Sequence, residues 1–93
     1  MGLVDDARVA ATRAGALADR GYGDAFIRFD LERHGLAGEL VDDAVAALVP
    51  ERDRARRLVE QRGADPRTAR WLAGRGFDAA SVEDAIAPFA ADG

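Results

Sequence analysis

The chain states one pattern twice. Gly35-Leu36 followed by Val41-Asp42-Asp43-Ala44-Val45-Ala46 returns 41 residues later as Gly76-Phe77 followed by Val82-Glu83-Asp84-Ala85-Ile86-Ala87. The same offset pairs Leu31 with Leu72, Val45 with Ile86 and Leu48 with Phe89. A fixed period of about 40 residues is the length of one supersecondary unit, which buries its apolar face by stacking on a neighbour. Arrays of this kind present an extended surface to a large partner. The repeat therefore points to a macromolecular partner, and its period divides the chain into units 1–49 and 50–93.

Each unit reads as three helices. Asp5 and Asp6 open the first, where carboxylates suit the positive end of the helix dipole. Val4, Ala7, Ala11, Ala14, Leu17 and Ala18 follow at spacings of three and four and predict one apolar stripe, closed by Gly21. A second helix starts at Gly23-Asp24, carries Phe26, Ile27, Phe29 and Leu31, and stops at His34-Gly35. A third, from near Ala37, places Leu40, Val41, Ala44, Val45 and Leu48 on one face until Pro50 ends it. The second unit repeats the plan. Residues 50–62 form a helix with a thin apolar side of Ala55, Leu58 and Val59, closed by Gly63. Asp65-Pro66 starts the next, since aspartate accepts orphan amide hydrogens and proline fits the first turn. Thr68, Ala69 and Leu72 face inward there, and Gly76 ends it. Asp78 caps the last helix, whose buried stripe is Val82, Ala85, Ile86 and Phe89. Pro88 should kink or end that helix, and residues 90–93 should fray. No segment alternates as a strand would. The expectation is an all-α fold, two tandem three-helix repeats in a curved array.

Composition narrows the function classes. At 93 residues the chain makes one small body, and with no cysteine it has neither a disulfide framework nor a thiolate metal site. No apolar run is long enough to span a membrane, and the N-terminus lacks the basic-then-apolar order of a signal peptide, so a cytoplasmic location is expected. The net charge is −4, which does not advertise nucleic-acid binding by the chain as a whole. All 13 basic residues are arginine.

Little here resembles catalytic machinery. His34, the single histidine, falls in the last turn of a helix, where a cationic or hydrogen-bonding side chain suits the free carbonyls. Asp42-Asp43 and Glu83-Asp84 are adjacent on helices and diverge by about 100° per residue, too widely for an oxygen-ligand cage. Ser81 and Thr68 have no identifiable base. Gly21-Tyr22-Gly23 lacks the strand and lysine of a phosphate loop and reads as a helix stop and turn. No enzyme activity, metal, cofactor or small-molecule substrate is expected.

The one constellation that invites a partner is basic. Between Glu51 and Gly76 eight arginines face four acids, a local charge of +4 in an otherwise acidic chain. With Ala55, Leu58 and Val59 turned inward, Arg52 and Arg56 fall on one flank and Arg54 and Arg57 on the other. Arg67, Arg70 and Arg75 follow, with Trp71 beside them. This set, Arg52, Arg54, Arg56, Arg57, Arg67, Arg70, Trp71 and Arg75, is the candidate partner-binding surface, suited to phosphates or to an acidic protein. A solvated helix laced with local ion pairs, Arg56 to Glu60 and Arg52 to Glu51 or Asp53, would account for the same residues.

Gly2-Leu3-Val4-Asp5-Asp6-Ala7-Arg8-Val9-Ala10, Arg20-Gly21-Tyr22, Ile27, Leu31-Glu32-Arg33-His34-Gly35-Leu36 and Leu40-Val41 together resemble the middle repeat of the RecX family, with Val9 where phenylalanine is common. Pro50-Glu51 through Arg62-Gly63 and Leu72-Ala73-Gly74-Arg75-Gly76-Phe77 resemble that family's last repeat. The resemblance runs from about residue 2 to residue 89, almost the whole chain. It implies a curved array of three-helix repeats lying in the groove of the RecA–DNA filament, inhibiting ATP hydrolysis and strand exchange or promoting disassembly. It implies the RecA recombinase filament as partner, weak contact with single-stranded DNA, and no cofactor or catalytic residue. Family members usually carry three repeats, and this chain starts where the second would. Its acidic balance also departs from the basic character of many relatives. Two rival readings rest on the residues alone. One is a helix-turn-helix-like DNA-binding protein. The other is a helical protein-interaction module, in which Gly76-Phe77 before an apolar helix resembles the loop of a ubiquitin-associated domain.

Overall fold

The computed structural model describes residues 3–90, and all its regular structure is helical: α1 Leu3–Asp19, α2 Asp24–Arg33, α3 Gly38–Ala46, α4 Glu51–Arg62, α5 Pro66–Gly74 and α6 Ala79–Ala90. The expected all-α class and six helices stand. The helices form an elongated body of 56 × 18 × 18 Å. Its apolar interior falls into two clusters. Ala10, Ala14, Leu17, Ile27, Leu31, Val41, Ala44 and Val45 pack together from α1–α3. Ala55, Val59, Leu72, Phe77, Val82 and Ala85 pack together from α4 to α6. Ile27, Leu31 and Leu72 are fully buried, each contributing about 2 kcal/mol of apolar transfer.

Local punctuation follows the sequence closely. Asp65 caps α5 by accepting from the Thr68 N–H at 2.9 Å, with Pro66 opening the first turn. Asp78 accepts from the Ala80 N–H at 2.7 Å at the start of α6. The positive-φ residues are Gly21, Gly35, Gly63 and Gly76, each just past a helix. Pro50 precedes α4 as its N-terminal cap, and α3 has already ended at Ala46.

Three expectations are corrected. The buried stripe of α1 is Ala10, Ala14 and Leu17, while Ala7 and Ala11 are exposed. A helix with alanine on every side has too little apolar contrast to mark its own phase. Phe89 is 44% exposed although its counterpart Leu48 is half-buried. The cause is helix length: α3 stops at Ala46, so Leu48 bends inward from a turn, whereas α6 runs on and turns Phe89 outward. Of the two effects expected of Pro88, a kink or an end, the end is overturned, since α6 continues through it to Ala90. The expected fraying covers Ala90, which is helical, and residues 91–93, which lie outside the described residues.

The two clusters meet through backbone. The loop from α1 to α2 presses on the turn from α5 to α6, where the Gly23 N–H donates to the Arg75 carbonyl at 2.8 Å and the Ala25 N–H to the Gly76 carbonyl at 3.2 Å. Glycine is required on both sides. A methyl on Gly23 would lie 2.5 Å from the Gly76 oxygen, and one on Gly76 2.7 Å from the Phe26 Cβ. Glu51 bridges the same junction, accepting from the Asp24 N–H at 2.7 Å and from the Ser81 hydroxyl at 2.8 Å.

Two carboxylates give stability a predictable pH dependence. Arg13 holds Asp30 in a two-pronged pair between α1 and α2, and the hydrogen bond lowers the Asp30 carboxyl below its ordinary 3.8. The Thr68 N–H does the same for Asp65. Because the folded values lie below the unfolded ones, this stability is present above pH 3.8 and is lost as pH falls through the lowered folded values. Thermal melts from pH 7 downward should therefore show a shallower acid loss in Asp30→Asn than in the wild type. Equal slopes would remove Asp30 from the account.

Candidate partner-binding surface

The arginines expected to form one surface divide into an inward and an outward set. Arg54 sits one turn into α4 with only 10% of its side chain exposed. Its Nη1 lies 2.9 Å from the Val49 carbonyl and 2.9 Å from Asp24 Oδ1, and Nη2 donates to the Tyr22 carbonyl at 3.1 Å. Its guanidinium also stands 5.8 Å from the centre of the Phe77 ring. Arg75, at the end of α5, donates to the carbonyls of Arg20 and Gly21 and stacks 3.8 Å above the Tyr22 ring. Both side chains tie the second cluster to the loop closing α1. Their placement argues for an internal clamp, and a docking partner would have to break it to reach them.

Trp71 belongs to the same joint. Half-buried, it takes the Arg62 guanidinium at 3.8 Å and that of Arg75 at 5.0 Å, and its ring edge closes against Gly21. Cation–π contacts of this kind draw the guanidinium to the ring face. Arg52 pairs with Asp84 of α6 at 3.2 Å, both side chains largely exposed. The local pairs anticipated for Arg52 with Glu51 or Asp53, and for Arg56 with Glu60, are not formed.

What remains outward is Arg56 and Arg57 on α4 and Arg67 and Arg70 on α5, all exposed and without an ion pair among the described residues. Of the four, only Arg57 borders the cleft of about 320 Å³ between α1 and α4, which Ala18, Asp19, Arg54, Leu58 and Gln61 also line. These four charges are the part of the arginine cluster able to meet a polyanion or an acidic surface.

The remaining candidates resolve simply. His34 Nδ1 lies 2.8 Å from the Asp30 carbonyl, the C-terminal helix contact its position suggested. Among the described residues no cluster of three or more His, Cys, Asp or Glu side chains is placed to hold a metal ion. No helix among them is long and apolar enough to cross a membrane. Two features escaped the sequence reading. Glu51 read as one acid in a charged run, yet it joins the N-termini of α2 and α6. Arg54 read as one of several equivalent arginines, and nothing local distinguishes it from Arg57.

Comparison with known proteins gives a consistent relationship. The chain is 36% identical over 94 aligned positions, 90% of its length, to proteins named Regulatory protein RecX from three strains of Xanthomonas oryzae pv. oryzae. It spans 58–59% of the length of these relatives. No family profile matches the chain, and no solved structure matches it.

Proposed function

Because the chain belongs to the RecX family, we propose that it regulates the RecA recombinase by lying along the RecA–single-stranded DNA filament and restraining ATP hydrolysis and strand exchange. The observation that carries this reading is identity of 36% extending over 90% of the chain, with no large part left to a different fold. The shape supports it. A 56 Å body built as units 1–49 and 50–93 can follow a groove across more than one filament subunit. Arg56, Arg57, Arg67 and Arg70 supply the free positive charge for acidic protein or phosphate groups along that path. The action is regulatory, by occupancy and not by chemistry, and its place is the cytoplasm, where RecA works.

The test is RecA's DNA-dependent ATPase with purified chain added. Inhibition is expected, and replacing Arg56, Arg57, Arg67 and Arg70 by Ala together should raise the concentration needed about tenfold or more, with helicity unchanged. No inhibition at large molar excess would defeat the reading. A pull-down on RecA–single-stranded DNA filaments against free DNA separates it from direct DNA binding, which the net charge of −4 disfavours.

A further inference from the structure

The cleft of about 320 Å³ between α1 and α4 brings side chains of both units into one hollow. Leu48, Val49 and Leu58 give it apolar walls, and Val49 is 52% exposed. Its volume is at the small end of the range for binding pockets, which suits one side chain of a partner.

Two residues of α1 that line this cleft work against the helix carrying them. Gly15 sits mid-helix, where only proline is less favourable than glycine. Its φ is not positive, and a methyl there would meet nothing within 4 Å, so neither backbone conformation nor crowding calls for glycine. Asp19 is the last residue of α1, where a carboxylate opposes the negative end of the helix dipole. It is exposed, and it has no ion pair among the described residues to offset that. Positions that break a local rule with no gain to the fold mark functional sites. On the opposite wall stands Arg57, exposed and also unpaired among the described residues. The aliphatic hollow therefore has an anion on its α1 side and a cation on its α4 side.

We propose that this cleft anchors the chain on its protein partner, taking one aliphatic side chain that stands between a basic and an acidic residue. The basic residue meets Asp19, the acidic one meets Arg57, and the aliphatic group fills the space that Gly15 leaves open. The inference rests on the RecA reading and adds to it the chemistry of the segment recognised. Charge complementarity favours protein over nucleic acid here. A phosphate backbone drawn to Arg57 would meet the Asp19 carboxylate and apolar walls, where a polyanion needs a continuous basic track. Opposed charges also fix the direction of the bound segment, since reversing it sets like charges together. A desolvated apolar anchor of this kind carries a large share of a contact's affinity.

The test is inhibition of RecA's DNA-dependent ATPase by the whole chain and its variants, each first checked for wild-type helicity. Gly15→Leu fills the hollow and should raise the concentration for half inhibition about tenfold or more, as expected for expelling one buried aliphatic side chain. Ala16→Leu, exposed on another face of α1, should leave it unchanged. Val49→Asp makes the same test outside any helix and should also cost about tenfold. Asp19→Asn should weaken inhibition about threefold, the effect of one exposed ion pair. Wild-type chain that fails to inhibit overturns the RecA reading and the anchor with it. Wild-type inhibition that survives both Gly15→Leu and Val49→Asp overturns the anchor alone, and so does an equal loss in Ala16→Leu. Tighter action by Asp19→Asn identifies a polyanion in the cleft and overturns the proposal.

Discussion

Gly23→Ala should destabilise the fold by about 3–4 kcal/mol, combining overpacking with two weakened hydrogen bonds. The backbone at Gly23 has φ −86° and ψ 172°, which any residue adopts, so no conformational strain enters. The whole effect is steric. The added methyl lies 2.5 Å from the Gly76 oxygen and against the backbone of Phe77. Backbone cannot rotate aside as a side-chain tip can, so the two clusters must separate. Separation lengthens the bonds from the Gly23 and Ala25 N–H groups to the turn at Gly76. Against a total stability of about 5 kcal/mol for a domain this small, most of the folded population margin is removed. Gly15→Ala is the matched control. A methyl there meets nothing within 4 Å of α1, so helix propensity should stabilise by about 1 kcal/mol. Urea titrations of the two variants should move in opposite directions. A Gly23→Ala midpoint close to that of the wild type would mean the joint yields without cost.

How much of this was legible depends on the range of each interaction. Helix ends were readable because their determinants are adjacent in sequence: Asp65 and Pro66 before α5, Gly35 after α2, Gly63 after α4. The pairing of Leu31 with Leu72 and of Val41 with Val82 was readable because both copies bury them, with none of the four more than 8% exposed. The arginine surface was only half readable. Arg54 and Arg57 are one helical turn apart and chemically identical, but Arg54 alone reaches Tyr22 and Asp24, which lie 32 and 30 positions away. A partner that distant leaves no local trace. Glu51 is the same case, a carboxylate whose partners Asp24 and Ser81 come from opposite sides in sequence.

Arg54→Ala should cost about 3 kcal/mol, because it removes two charged hydrogen bonds to backbone carbonyls and leaves Asp24 without its cation. The guanidinium is nearly enclosed, and its Nε finds no acceptor. The site therefore already carries an unmet desolvation cost, which Nη1 and Nη2 offset through Val49, Asp24 and Tyr22. Asp24 keeps 34% of its side chain in solvent, so water relieves part of the unpaired charge and holds the total below the upper range for buried pairs. Asp24→Ala should consequently cost about 1 kcal/mol, with the backbone carbonyls still held. Arg54→Lys should rescue little, because an ammonium is a point donor and cannot span two carbonyls and a carboxylate as a planar fork does. Chemical denaturation of the singles and the Arg54→Ala/Asp24→Ala double gives the coupling directly, and about 1 kcal/mol of it is expected. If Arg54→Ala melts like the wild type, Arg54 is a surface residue after all, and it returns to the set that meets the partner.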